Sequence, residues 1–172
     1  FSQVILGEKG AVRYISNYRL LTRKDYLVLP LSGDPMMVVP TLGQQISALQ
    51  VSWIKDIRCS ADSAGMIREV ADKVKADKND NAAIGIVGLN NAPHQDIKFL
   101  KSELPGARFS DASELLNDVR AVKSPEEIAM IKATTEIADA CYELLIEILR
   151  VGKDEREVMA EINKLLTLKG VE

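Results

Sequence analysis

Residues 118–172 spell out two helices with both ends marked, and this constrains the chain more than any other feature. Ser124 precedes Pro125, and Glu127 lies three residues after Ser124. Ser at the N-cap, Pro at the first helical position and Glu at the third form a capping box on a proline-started helix. The Ser hydroxyl accepts from the third amide, and the Glu carboxylate reaches back to the Ser amide. Pro125 forfeits nothing, because its missing N–H would have had no partner in the helix. Apolar residues then recur at Ile128, Ile131, Ala138, Cys141, Leu145 and Ile148, with Ile137, Leu144 and Leu149 widening the stripe. That is helical period. The spacing predicts a helix from Pro125 to Arg150, about 39 Å long at 1.5 Å per residue. Gly152 is the expected residue past its end. Asp154 and Glu157 repeat the cap spacing, Val158, Ile162, Leu165 and Leu166 supply the next apolar face, and Gly170 closes it. The chain stops with that helix, so the expectation is of a piece of a longer protein whose chemistry follows residue 172.

Upstream, short apolar segments alternate with amphipathic ones. Strands are expected at Gln3–Leu6, Ala11–Ser16, Tyr26–Leu31, Met36–Val39, Ile54–Arg58, Ala83–Val87 and Ala107–Phe109. Helices are expected at Gly43–Gln50, Asp62–Ala76, Gln95–Leu104 and Ala112–Asp118. Ser32-Gly33-Asp34-Pro35 joins two strands as an antiparallel hairpin. Asp62 caps its helix, whose face is Met66, Ile67, Val70 and Val74. A hairpin followed by β–α–β–α–β predicts an α/β fold, a mixed sheet flanked by helices. The boundary to a second domain is placed between residues 118 and 119.

The residues also match a known pattern. Arg120, Lys123-Ser124-Pro125-Glu126-Glu127-Ile128, a helix, then Gly152, Glu155, Glu157-Val158 and Gly170 resemble a junction of the creatinase/prolidase/Xaa-Pro aminopeptidase family. Val12-Arg13-Tyr14-Ile15-Ser16-Asn17-Tyr18 is similar to that family's strand end, with Asn17 where Gly is usual. Asn tolerates left-handed dihedrals better than most residues. Ser32-Gly33-Asp34-Pro35 before Met36-Met37-Val38-Val39-Pro40 is similar to the family's hairpin. The resemblance implies a creatinase/prolidase N-terminal domain of ribonuclease-H-like topology over 1–118. It implies a linker and the first two helices of a truncated pita-bread catalytic domain over 119–172. The implied parent is a metal-dependent Xaa-Pro dipeptidase or aminopeptidase with two divalent ions (Mn, Co or Zn). This part would shape substrate access and help form a homodimer. A creatinase-like C–N hydrolase and a non-enzymatic aminopeptidase-like binding module are the alternatives.

Composition narrows the functions further. The net charge is −3, with no basic face for nucleic acid. No run of apolar residues reaches the length of a membrane span. Cys59 and Cys141 lie far apart, with no disulfide framework or zinc spacing, which favours a reducing, cytoplasmic setting. No catalytic residue and no metal ligand is assigned. His94, the single histidine, sits in a loop and reads as solvated. Glu157 and Glu161 read as a solvated acidic face. Gly85-Ile86-Val87-Gly88 lacks the rest of a phosphate loop, and Gly85 reads as a site of close strand packing. Trp53 is assigned to the core or a subunit interface in preference to a substrate-stacking role. Arg13, Arg19, Arg23 and Lys24 make a basic patch around Tyr14 and Tyr18, read as a solvated loop or a functional one. The resemblance implies that this loop approaches the partner subunit's active site. On it, Tyr18, Arg19 and Arg23 are the substrate-proximal residues, and an Arg fork suits the carboxylate of a proline-containing peptide.

Overall fold

The computed structural model describes residues 1–19, 25–77 and 83–171. The chain divides into two compact units, Phe1–Val119 and Arg120–Glu172.

In the first unit the strands are β1 (Gln3–Leu6), β2 (Tyr26–Pro30), β3 (Met36–Val39), β4 (Asp56–Cys59), β5 (Ala83–Val87) and β6 (Arg108–Asp111). They form one mixed sheet in the order β4-β3-β2-β1-β5-β6. β1, β2 and β3 run as an antiparallel meander, while β3–β4, β1–β5 and β5–β6 are parallel pairs. The central strands are apolar on both faces, as strands covered on two sides must be. Side chains alternate across a strand. Tyr26 and Val28 of β2 and Met36 and Val38 of β3 therefore point to one face, and Leu27, Met37 and Val39 to the other. The first face packs on α3 (Ser63–Ala76), through Met66, Ile67, Val70 and Val74, and on Leu100 and Leu104 at the end of α4 (His94–Glu103). The second packs on Ala11 and Val12 of α1 (Lys9–Ser16), Ala48 of α2 (Leu42–Val51) and Leu116 of α5 (Ser113–Ala121).

Most predicted elements appear within a few residues of their expected bounds. Asp62 caps α3 by accepting from Gly65 N at 2.8 Å, and Thr41 caps α2 by accepting from Gln44 N at 3.2 Å. One element differs in kind. Ala11–Ser16, expected as a strand, is the body of α1. Glu8 provides the local reason: its carboxylate accepts from Gly10 N at 2.9 Å and Ala11 N at 2.8 Å, which satisfies two amides a helix start leaves over. Val12, Tyr14 and Ser16 also fit an alternating pattern, and a segment this short does not separate the two periods. Burial does: Ala11, Val12, Ile15 and Ser16 face inward, while Arg13 and Tyr14 are exposed.

The second unit consists of α6 (Pro125–Ile148) and α7 (Glu155–Leu168). Both expected capping boxes are formed, Ser124 with Glu127 and Asp154 with Glu157. α6 stops two residues before the predicted Arg150, and its C-cap Leu149 is extended, so Gly152 (φ 90°) turns the connection rather than ending the helix. α7 ends as foreseen at Gly170 (φ 74°). Val171 N donates to Leu166 O and Gly170 N to Thr167 O, both at 3.0 Å, a Schellman closure.

Candidate functional site

The segment singled out by its basic and aromatic residues leaves the C-terminal end of α1. Asn17 takes the left-handed conformation there (φ 58°) and donates its N–H to Arg13 O at 2.9 Å. Asn thus serves where a Gly would ordinarily stand. The last carbonyls of α1 have no partner within the helix, and the α2–β4 connection supplies them. Ser52 Oγ donates to Ser16 O at 2.7 Å, Trp53 Nε1 donates to Ile15 O at 2.6 Å, and Ile54 N donates to Ser52 Oγ at 3.2 Å. Ser16 Oγ in turn accepts from Tyr18 N at 3.1 Å. Two segments more than thirty residues apart therefore hold this helix end as one piece.

Within that brace the predicted residues occupy different environments. Tyr18 is buried, only 4 % exposed, in the core on the α1 side of the sheet. Its hydroxyl has no hydrogen-bond partner among the described residues. Burial, reinforced by the charge of Asp25, pushes its phenol up, so it stays neutral. Arg19 follows it directly and is exposed. Arg23 and Lys24 lie outside the described residues. Trp53 is neither core nor loose: its indole is more than half exposed while its N–H is committed to Ile15. α2 carries an exposed apolar stripe, Leu42, Ile46 and Leu49, spaced at i, i+4 and i+7, and Trp53 lies just past the helix end. The side of α2 toward the sheet carries Gln44 and Ala48 instead. Larger apolar residues thus face out than in.

The other candidates resolve into structural roles. His94 is exposed at the first turn of α4. Glu157 belongs to the cap of α7, accepting from Asp154 N at 3.4 Å, and Glu161 is exposed beside Lys164 at 3.7 Å. Gly88 (φ 78°) has its amide committed to Ser113 Oγ at 2.9 Å, so the Gly85–Gly88 turn has no open amide at that position to cradle a phosphate. Arg58 bridges Asp56 and Glu69, linking β4 to α3, and its hydrogen bonds to both hold the guanidinium charged. Sequence reasoning missed one buried pair, Tyr26 Oη donating to Asp96 Oδ2 at 2.6 Å. The two residues lie seventy positions apart, and no local signal joins them. Among the described residues no three His, Cys, Asp or Glu side chains converge as metal ligands, and no helix is long and apolar enough to cross a membrane.

Comparison with known proteins gives this architecture its family. The chain belongs to the Creatinase/Prolidase N-terminal domain family, whose model matches residues 1–122. It is 34% identical over 101 residues to the Xaa-Pro dipeptidase of Pyrococcus horikoshii, covering 57% of this chain and 29% of that protein. It is 30% identical over 143 residues to the Xaa-Pro dipeptidase of Lactobacillus delbrueckii subsp. lactis, covering 81% of this chain and 38% of that protein. A third relative is the ectoine hydrolase of Halomonas elongata, 35% identical over 66 residues, covering 38% of this chain and 16% of that protein. The solved X-Pro aminopeptidase from Thermotoga maritima superposes with a TM-score of 0.78 at 14% identity, covering 98% of this chain and 47% of that one, which shows the shared fold. The chain spans well under half the length of the curated relatives it matches.

Proposed function

We propose that this chain is the N-terminal, non-catalytic part of a metal-dependent Xaa-Pro dipeptidase or aminopeptidase. The family match over residues 1–122, joined to relatives named Xaa-Pro dipeptidase, carries the reading. Residues 1–118 are the creatinase/prolidase-type domain. Residues 119–172 are the linker and the first two helices of the pita-bread catalytic domain. The described residues offer no donor set for the two divalent ions such an enzyme would use. When bound elsewhere in the parent, those ions would polarise the scissile carbonyl. This chain's own contribution is to narrow the entrance, to present the α1 end to a substrate, and to pair two subunits. The exposed apolar residues Leu42, Ile46 and Leu49 of α2, and Trp53 after it, support a subunit contact. Tyr18, Arg19 and Arg23 are the substrate-proximal residues, with buried Tyr18 as the post that sets Arg19.

The test is Arg19→Ala in the full-length protein. Loss of a charge-assisted contact to a substrate carboxylate costs about 1.5–3 kcal/mol, so kcat/KM on an Xaa-Pro dipeptide should fall by roughly ten- to a hundredfold. The melting temperature should barely move, because exposed side chains contribute little to stability. Wild-type kcat/KM would remove Arg19 from the reading. A second reading, a creatinase-like C–N hydrolase of small metabolites, is favoured by the ectoine hydrolase relative. Full-length protein that hydrolyses ectoine and leaves Xaa-Pro dipeptides intact would establish it instead.

A further inference from the structure

β1 and β5 lie side by side and parallel, but the chain leaves them in opposite directions. From β1 it goes by way of α1 to β2 on one side, and from β5 by way of α4 to β6 on the other. Where strand order reverses in this way, the crevice beyond the carboxyl ends of the strands is left open for a ligand. Here it is a cavity of about 350 Å³, bordered by Gly7 and Gly88 just past the ends of β1 and β5. Ile5, Ile67, Ile86 and Leu100 supply apolar walls. The volume is at the small end of ligand pockets, which run from about 300 to 1,000 Å³.

The polar groups decide what it can hold. Asp96 lines the cavity and is only 8 % exposed. Among the described residues its carboxylate accepts one side-chain hydrogen bond, from Tyr26 Oη, and no Lys or Arg pairs with it. Tyr26 cannot serve as a counter-charge: it is a neutral donor, and burial together with Asp96 pushes its phenol far above the ordinary range. Asp96 sits in the first turn of α4, where the helix N-terminus favours a carboxylate, and a cation beside this buried group would stabilise it further. Glu8, the second carboxylate on the lining, is committed to the Gly10 and Ala11 amides. Among the described residues the lining contains no Lys, Arg or His, while Asp96 and Glu8 bring carboxylates to it. We propose that this cavity is a binding site for a small organic ammonium, with Asp96 taking the charged nitrogen and the Ile and Leu walls enclosing a compact hydrocarbon body. The site is independent of the peptidase reading, because it uses none of the residues on which that reading rests.

The test is a titration of the 172-residue chain with 3-methylbutylamine, and in parallel with its neutral isostere 3-methylbutan-1-ol, followed by amide chemical shifts. The amine should shift Gly7, Gly88 and Asp96 saturably, and the alcohol should bind roughly tenfold or more weakly, as expected when a buried charge contact is lost. Asp96→Asn keeps an acceptor for Tyr26 and should bring the amine down to the affinity of the alcohol. Ala92→Met, at the wall, should abolish both by filling space. Equal affinities for amine and alcohol, amine affinity unchanged in Asp96→Asn, or shifts confined to other surfaces would each overturn the proposal.

Discussion

At Gly85 a methyl group would lie 2.8 Å from the Cβ of Ala112 and 3.1 Å from the Phe1 ring. A Cβ essentially never sits as close as 2.8 Å, and 3.1 Å is tight, so β5 or its neighbours would have to shift. Gly85→Ala should therefore destabilise the first unit by about 1–3 kcal/mol, the usual cost of overpacking. Denaturant unfolding measures it, and an unchanged midpoint would show that the sheet absorbs the group. Close packing at this glycine was readable from its place inside an apolar strand. The commitment of Gly88 to Ser113, twenty-five residues away, was not. Tyr18 shows the same divide: the sequence does not tell that its phenol fills the core while Arg19, next to it, is exposed.

The helix ends carry their instructions locally. Asp154 accepts from Arg156 N and from the Arg156 guanidinium at 2.8 Å each, and these contacts hold its carboxyl below the usual range. A depressed native value stabilises the helix start fully above the ordinary Asp value of about 3.9. That contribution fades as pH falls from there through the native value. Amide exchange in the first turn of α7, corrected for intrinsic rates, should accelerate as pH drops below about 4. Asp154→Asn retains a capping oxygen and should lose that pH dependence. Equal profiles for the two proteins would mean that the carboxylate charge contributes nothing at this exposed site. α1 is the element where local signals misled. Its eight residues suit two periods, and the capping role of Glu8 and the sheet beneath Val12 settle the choice.

Over the whole molecule, apolar surface is distributed unevenly. α6 buries none of its residues fully, and Met130, Tyr142, Ile146 and Leu149 are all more than half exposed. Tyr142 and Ile146, four residues apart on one side of α6, make exposed apolar surface of the kind that another surface covers. In the proposed full-length enzyme that cover is the catalytic domain. The 172-residue chain alone should self-associate at high concentration, and Ile146→Glu with Tyr142→Glu should shift it toward monomer in sedimentation or light scattering. A strict monomer for the unaltered chain would count against the cover and leave the helix merely tolerated in water.

The sequence by itself determined most features whose partners lie within a few residues, the Glu8 cap of α1 excepted. These are the capping boxes at Ser124 and Asp154, the Asp62 cap, the Schellman end at Gly170 and the β2–β3 hairpin. It also determined the α/β class, because continuous apolar strands between amphipathic helices bury both faces of a sheet. Tertiary structure alone decided the strand order, the helical state of residues 11–16, the brace from Ser52 and Trp53 to the end of α1, and the Tyr26–Asp96 pair in its cavity. Each of these joins groups separated by tens of residues, or selects between two periods that a short segment fits equally. Composition and spacing carry no record of such a choice. It is made when the chain closes and each buried polar group finds the partner that happens to be in reach.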